Sequence, residues 1–451
     1  MSDREFSDEE VQRILQRAAD RQRTSETRGL GAGGFLGVPR RIFRPLAFAL
    51  LVLPALQACG PADPDPQQGE DRPRLMRTDS VAPSSSASPL ARRVLERATA
   101  PPDTTFGRLV TELSEPGGFF DTDNLISNEA SYLHVLGALR RRGVTGGAYI
   151  GVGPDQNFAY IAAIRPEVAF VVDLRRDNVL QHLMFKTLFQ LAETRVEYLS
   201  LLHGRALPEN PREWWAATPE ELVEYVREAR GGLGTAEGQF ALELIQTRVG
   251  EQGVALSASD IQTIRRFHEE FIRSGMSLRF SSFGSAPRPF YPTYEELLTA
   301  TDLQGRPGSY VATRDGYVFL REMQAAGRII PVVADLAGAT AIRGIGDEIR
   351  SRGLTVSAFY TSNVEFYLWS SLSLGSYFGN LRRLPSDESS VVIRSYFPTQ
   401  GQAHPDEVPG YVSTQTMQPL SVLQEDDIQT RLRSYYDLVT FAAIDPGGSD
   451  D

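Results

Sequence analysis

Three residues have the types and spacing of a nucleoside-binding turn. Gly151 and Gly153 remove Cβ atoms where the backbone has to turn sharply and a ligand has to come close. Asp173 follows 20 residues after Gly153, at the carboxyl end of an apolar run, where a carboxylate can accept hydrogen bonds from ribose hydroxyls. The chemistry suggested is ligand binding before any reaction. A βαβ unit that needs a tight turn for structural reasons alone is the alternative reading.

The elements that must hold these residues are legible around them. Gly147 to Asn178 reads GAYIGVGPDQNFAYIAAIRPEVAFVVDLRRDN. Ala148, Tyr149 and Ile150 are strand-like, and Gln156 to Ile164 contains no breaker and puts Phe158, Ile161 and Ala162 on one helical face. Val168 to Val172 is almost purely apolar, as expected of a parallel strand covered on both sides. Tyr132 to Arg142 predicts a helix leading into the first strand. Asn178 to Glu193 predicts the helix after the second, with Leu180, Leu183, Met184 and Leu188 inward.

From about 208 to 275 the periodicity is helical throughout, over Glu220–Arg230, Glu237–Gln252 and Ser259–Arg273, which reads as a helical insertion or cap. The α/β alternation then returns. Ile329 to Ala334 is an apolar run ending at Asp335. Pro331 has no amide donor for a central strand, so the expected start is Val332. Ala339–Arg350 predicts a helix, Thr355–Tyr360 a strand, Val364–Leu381 one long aromatic helix, and Ser390–Phe397 a further strand. Five strands alternating with helices predict an α/β, doubly wound, mostly parallel Rossmann-like sheet.

These pieces together resemble the class I S-adenosylmethionine-dependent methyltransferase superfamily. Gly151-Val152-Gly153-Pro154 looks like its glycine-rich first motif, Asp173 like the acid that holds the cofactor ribose, and Asp335 like the acid near the adenine amine. The resemblance covers roughly 124–397 without the helical insertion. It is nearest to methyltransferase-like bacterial proteins with a similar stretch from Phe120 to Glu129, FDTDNLISNE. It implies S-adenosylmethionine as cofactor, held by Gly151, Gly153, Pro154, Asp173 and Asp335. Tyr360, Ser362 and Asn363, after the fourth strand, are then the candidate catalytic residues on the acceptor side, with Asn128, Glu129 and Arg394 as further candidates. Plainer roles compete: Asn128 and Glu129 as a helix start, Ser362 and Asn363 as a helix cap, Arg394 as partner of a surface acid. The chain departs from the motif at Asp155, where a third glycine is usual, and at Tyr149, where an acid often stands. Asp155 could cap the following helix or repel the carboxylate of a methionine moiety.

Other chemistry finds less footing. The net charge of −11 and the lack of a long basic run exclude a nucleic-acid grip. The histidines His134, His182, His203, His268 and His404 show no metal-ligand spacing, and there is neither a Gly-x-Ser-x-Gly elbow nor a Walker loop. Arg175 and Arg176 suit either a phosphate or a solvated turn.

The single cysteine, Cys59, has its own explanation. Arg40 to Gly60 reads RRIFRPLAFALLVLPALQACG: arginines, a short apolar core from about Leu46 to Leu56, then Leu56-Gln57-Ala58-Cys59, which resembles a bacterial lipobox with Cys59 as the acylated residue. Arg40-Arg41-Ile42-Phe43 resembles a twin-arginine export signal. An uncleaved short anchor is the alternative. The reading is an extension with a short amphipathic helix (1–38), a signal or anchor (39–59), a Pro/Ser/Asp-rich tether (60–95), the folded domain (96–445) and a tail (446–451). The expected location is the cell envelope, with the domain outside the cytoplasmic membrane. Cytoplasmic supply of S-adenosylmethionine conflicts with that address. Two functions therefore stand side by side: a tethered methyltransferase-like domain with a nucleoside ligand, or a lipoprotein that uses the fold as an inactive binding or structural module.

Overall fold

In the computed structural model, residues 94, 97, 104–371, 373–398 and 402–448 are described. The described residues all fall in one compact unit, Ala87–Asp451, which carries the whole sheet and its core. Cys59, the extension, the signal segment and most of the tether lie outside the described residues.

Six strands form one sheet in the order β3-β2-β1-β4-β5-β6: β1 Ala148–Val152, β2 Val168–Asp173, β3 Ile329–Val333, β4 Val356–Ser362, β5 Val391–Tyr396 and β6 Thr414–Pro419. The first five pair in parallel and β6 runs antiparallel to β5. Every residue of β1 and β2 is buried, the pattern of strands covered on both faces. The chain is thus α/β with a mostly parallel sheet. Its order reverses between β1 and β4, and ligands of open α/β sheets bind outside the carboxyl ends at such a point.

The helices that shape this edge are α1 Thr104–Leu113, α2 Leu136–Arg141, α3 Asn157–Ile164 and α4 Arg176–Leu191. A helical stretch follows, with α5 Arg195–Leu202, α6 Pro219–Glu228, α7 Ala236–Val249, α8 Ala258–Ser274 and α9 Tyr294–Leu298, and then α10 Arg314–Ala325 and α11 Ala341–Ser351 before and after β3. Capping boxes at Thr194, Thr218, Ser257 and Thr293 fix four of these starts by satisfying amide donors that a helix cannot satisfy itself.

Four sequence expectations change. The helix before β1 is only six residues long, because the preceding stretch 130–135 runs as turns. Pro331 does sit inside β3, paired with Val171. It is tolerated because β3 is an edge strand, where a missing donor breaks no ladder; the outer side is closed by Ser114 and Glu115, whose groups bond Val333 N and O at 3.0 Å each. The long aromatic helix is two, α12 Val364–Ser370 and α13 Leu374–Leu381. Ser371 Oγ turns back to Leu368 O at 3.3 Å, the local competition that makes serine a poor helix residue. Finally, β6 was not expected at all, since TQTMQP carries no apolar run.

Lys186, the only lysine of the chain, is buried in α4. Its ammonium donates to Gln324 O and lies 4.5 Å from the centre of the Phe106 ring, so charge and stem are both accounted for.

Candidate functional site

Gly153 is the turn residue. Its φ of +92° is open to glycine and strained for others, and it ends β1 at the switch point. Gly151 instead lies inside β1, paired with Val171 and Tyr360. The space that its missing Cβ leaves is filled by Asn157 Oδ1 and Tyr149 OH, so the expected ligand approach at Gly151 is taken by the protein itself. Asn157 Nδ2 donates to the carbonyls of Val152, Gly153 and Pro154 at 3.0, 3.2 and 2.8 Å. One amide therefore holds the whole turn, Pro154 included.

Asp173 ends β2 as expected but is not free. Arg175 donates to it from Nε at 3.0 Å and from Nη2 at 2.8 Å, one contact to each oxygen, and the Arg175 amide adds a third at 2.9 Å. Arg175 also reaches Thr122 O at 2.6 Å. Both side chains are more than nine-tenths buried. Arg175 is thus neither a solvated turn residue nor an open phosphate ligand, while exposed Arg176 pairs with Asp260 at 2.9 Å. Asp335 lies half-buried past β3, its Oδ1 accepting from Ala337 N at 2.9 Å.

Asp155 does not cap α3. Its carboxylate accepts from Tyr294 OH at 2.7 Å, which in turn lies 2.6 Å from Tyr310 OH. Burial pushes the carboxyl up to about 7, against the lowering pull of the Tyr294 hydrogen bond.

On the β4 side, two expected residues converge on a third. Tyr360 OH and Ser362 Oγ donate to the two oxygens of Glu129. Glu129 is buried, and desolvation raises its carboxyl above the ordinary range despite these bonds. Burial pushes the Tyr360 phenol well up too, followed by the Glu129 charge, so Tyr360 is a donor here and not a base. Ser362 carries φ +54°, an uncommon conformation for a residue with a side chain and a form of strain that recurs at functional sites. Neither Ser362 nor Asn363 caps α12 through its side chain. Asn363 stays at the margin, its Oδ1 3.5 Å from Ser362 Oγ. Glu129 starts no helix, and Arg394 pairs with no surface acid. Its guanidinium is spent on Glu365 and Gln418 at zero exposure, with Tyr377 OH on Glu365 at 2.6 Å.

Gln156 joins the two sides. Its Nε2 donates to Tyr360 OH at 3.3 Å, and the same nitrogen lies 3.3 Å from where a Cβ on Gly153 would stand. Facing that turn, α4 presents Asn178, Gln181 and His182, three and four residues apart and so on one face. Gln181 Nε2 donates to Leu125 O at 2.6 Å, and His182 Nε2 to Gly153 O at 3.0 Å. Burial holds the His182 ring neutral, its pKa lowered to about 4, so Nδ1 is a lone pair. Five buried atoms in this group have no protein partner: Gln156 Oε1, both amide atoms of Asn178, Gln181 Oε1 and His182 Nδ1. None of these four side chains was singled out from sequence. The available signal was a polar face on an otherwise apolar helix.

A cavity of about 740 Å³ lies elsewhere, lined by Trp214, Tyr225 and four glutamates of the helical stretch, and shares no residue with this edge. Among the described residues no cluster of three or more His, Cys, Asp or Glu could hold a metal ion, and no helix is long and apolar enough to cross a membrane.

A family model described as a domain of unknown function, DUF7790, matches residues 125–246 and 258–445, more than half of the chain. The chain belongs to this family. Its matched region takes in Glu129, the Gly153 turn, Asp173, α4 and β4, so this constellation lies in the DUF7790 domain, and the end of α7 with the turn before α8 falls between the two matched parts. No curated protein matches the chain.

Proposed function

We propose that the DUF7790 domain is a small-ligand-binding module on a methyltransferase-like fold, tethered to the outer side of a membrane, and that its ligand is of the nucleoside class. One observation carries the reading: the five partnerless buried atoms around the Gly153 turn, at the sheet's switch point. Leaving such groups unpaired costs about 1–3 kcal/mol each, and four of the five are acceptors. A ligand rich in donors, such as ribose hydroxyls and an exocyclic amine, would satisfy them. The strand order β3-β2-β1-β4-β5 and the antiparallel β6 support the methyltransferase-like assignment.

Methyl transfer is the less favoured part. With Arg175 donating twice to Oδ1 and once to Oδ2, Asp173 keeps a single lone pair, on Oδ2, for a ribose hydroxyl until that pair opens. Glu129, with Tyr360 and Ser362, would be the group able to take a proton from an acceptor.

Thermal unfolding of residues 87–451 with S-adenosylmethionine, S-adenosylhomocysteine or adenosine tests the proposal. Ligand at 100 times its Kd adds about 2.7 kcal/mol. A gain lost in Asn178→Ala supports the module, and a gain lost in Asp173→Ala as well restores the cofactor site of the resemblance. No gain with any of the three overturns the nucleoside reading and leaves a structural module, which the Asp173–Arg175 pair favours. Palmitate labelling of the full chain against Cys59→Ser tests the tether separately.

A further inference from the structure

Glycine turns between a strand and a helix hold anions when their backbone amides point at the ligand. The turn after β1 has its amides engaged elsewhere. Gly153 N donates to Val172 O at 3.2 Å, Asn157 N to Pro154 O at 3.4 Å and Phe158 N to Asp155 O at 2.9 Å. Pro154 has no amide hydrogen, and the Asp155 amide turns to its own carboxylate. The charge that the turn itself carries is that carboxylate, and it is negative.

The cations around this edge are committed as well. Arg175 holds Asp173 and Thr122 O, Arg176 holds Asp260, and Arg394 holds Glu365. After β3, where α11 begins, amides do cluster, but there the protein supplies the anion. The Glu115 carboxylate accepts from Asp335 N at 2.7 Å, Thr340 N at 3.3 Å and Ala341 N at 3.4 Å. Each of the two turns is therefore closed to an external phosphate or carboxylate.

What stays open has the opposite polarity. Gln156 Oε1, Asn178 Oδ1, Gln181 Oε1 and His182 Nδ1 are acceptors, and Asn178 Nδ2 is the lone donor among the five partnerless atoms. Ribose hydroxyls and an exocyclic amine bring the hydrogens that these lone pairs lack, whereas a phosphate or carboxylate brings only further lone pairs. An anion buried against them is also far more costly than a neutral group.

We propose that the Gly153 site selects a nucleoside with no anionic tail, so that adenosine binds more tightly than adenosine monophosphate and more tightly than S-adenosylhomocysteine, whose amino-acid end carries a carboxylate. This rests on the nucleoside reading proposed above and narrows it. It also sets the site apart from the cofactor site of the resemblance, where that amino-acid end belongs at the glycine turn.

Calorimetric titration of the full chain with each of the three compounds is the test. The expected result is a Kd for adenosine at least about tenfold below the other two, with adenosine binding lost in Asn178→Ala. The preference should persist in about 1 M salt, where charges on the outside of the chain are screened within about 3 Å. Equal or tighter binding of adenosine monophosphate or S-adenosylhomocysteine overturns the proposal and leaves the nucleoside reading standing. A preference that vanishes in salt belongs to the overall charge of −11 and overturns it too, as does adenosine binding retained by Asn178→Ala. Binding of none of the three overturns the nucleoside reading itself, and the proposal with it.

Discussion

Arg175 closes Asp173 with one donor on each carboxylate oxygen, at 3.0 and 2.8 Å. This is the relationship that most changes the meaning of the β2 acid, because a carboxylate so occupied serves the fold before it serves a ligand. Arg175→Ala should leave that buried charge uncompensated and cost roughly 3–5 kcal/mol. Removing Asp173 as well should recover part of the loss. Urea unfolding of both single variants and the double checks this; strictly additive losses would mean that the two side chains do not act as a pair.

The carboxyl of Asp155 is raised by burial to about 7, so the folded chain holds its proton more tightly than the unfolded chain. Stability from this group is present below the ordinary carboxylate range and is lost as pH rises through 7. Asp155→Asn keeps an acceptor for Tyr294 and removes the titration. Its stability relative to the parent should therefore increase between pH 5 and pH 8, by about 2.6 kcal/mol. Parallel denaturant midpoints at the two pH values measure it, and curves that stay a constant distance apart would refute the assignment.

Glu365 and Arg394 form an ion pair with no exposure on either side chain. Glu365→Gln should strand the guanidinium and cost about 3–5 kcal/mol, whereas Glu365→Leu/Arg394→Met should lie much nearer the parent. Chemical unfolding of the three chains decides between a pair that stabilises and one that only has to be complete.

Ser362 combines φ +54° with a hydrogen bond to Glu129. Both Ser362→Ala and Ser362→Gly lose the bond, but only glycine relieves the backbone. The glycine variant should be the more stable of the two by about 1 kcal/mol. Equal stabilities would remove strain from the account of this position.

Much of the sheet was readable because β1 to β5 are runs such as AFVV and VVIR whose apolar character reports burial directly. Asp173 at the end of β2, and Tyr360 and Ser362 at the end of β4, follow from the same reading. What escaped depends on partners distant in sequence. Nothing local to TQTMQP shows that Gln415 will meet Tyr160 OH at 2.9 Å and Gln418 will meet Arg394, which is what makes a polar strand a buried one. The locking of Asp173 by a residue two positions away was close enough to be weighed, yet an Asp-Leu-Arg segment suits a free turn equally well until Thr122 O fixes the far end of the guanidinium.

The burial of Lys186 under Phe106 and Gln324 has a practical sequel. With the remaining 45 basic side chains all guanidinium, the folded domain shows no ε-amine to amine-directed cross-linkers, acylating reagents or a ubiquitin-like conjugate. Reaction at that nitrogen then becomes a direct readout of opening between α4 and its neighbours.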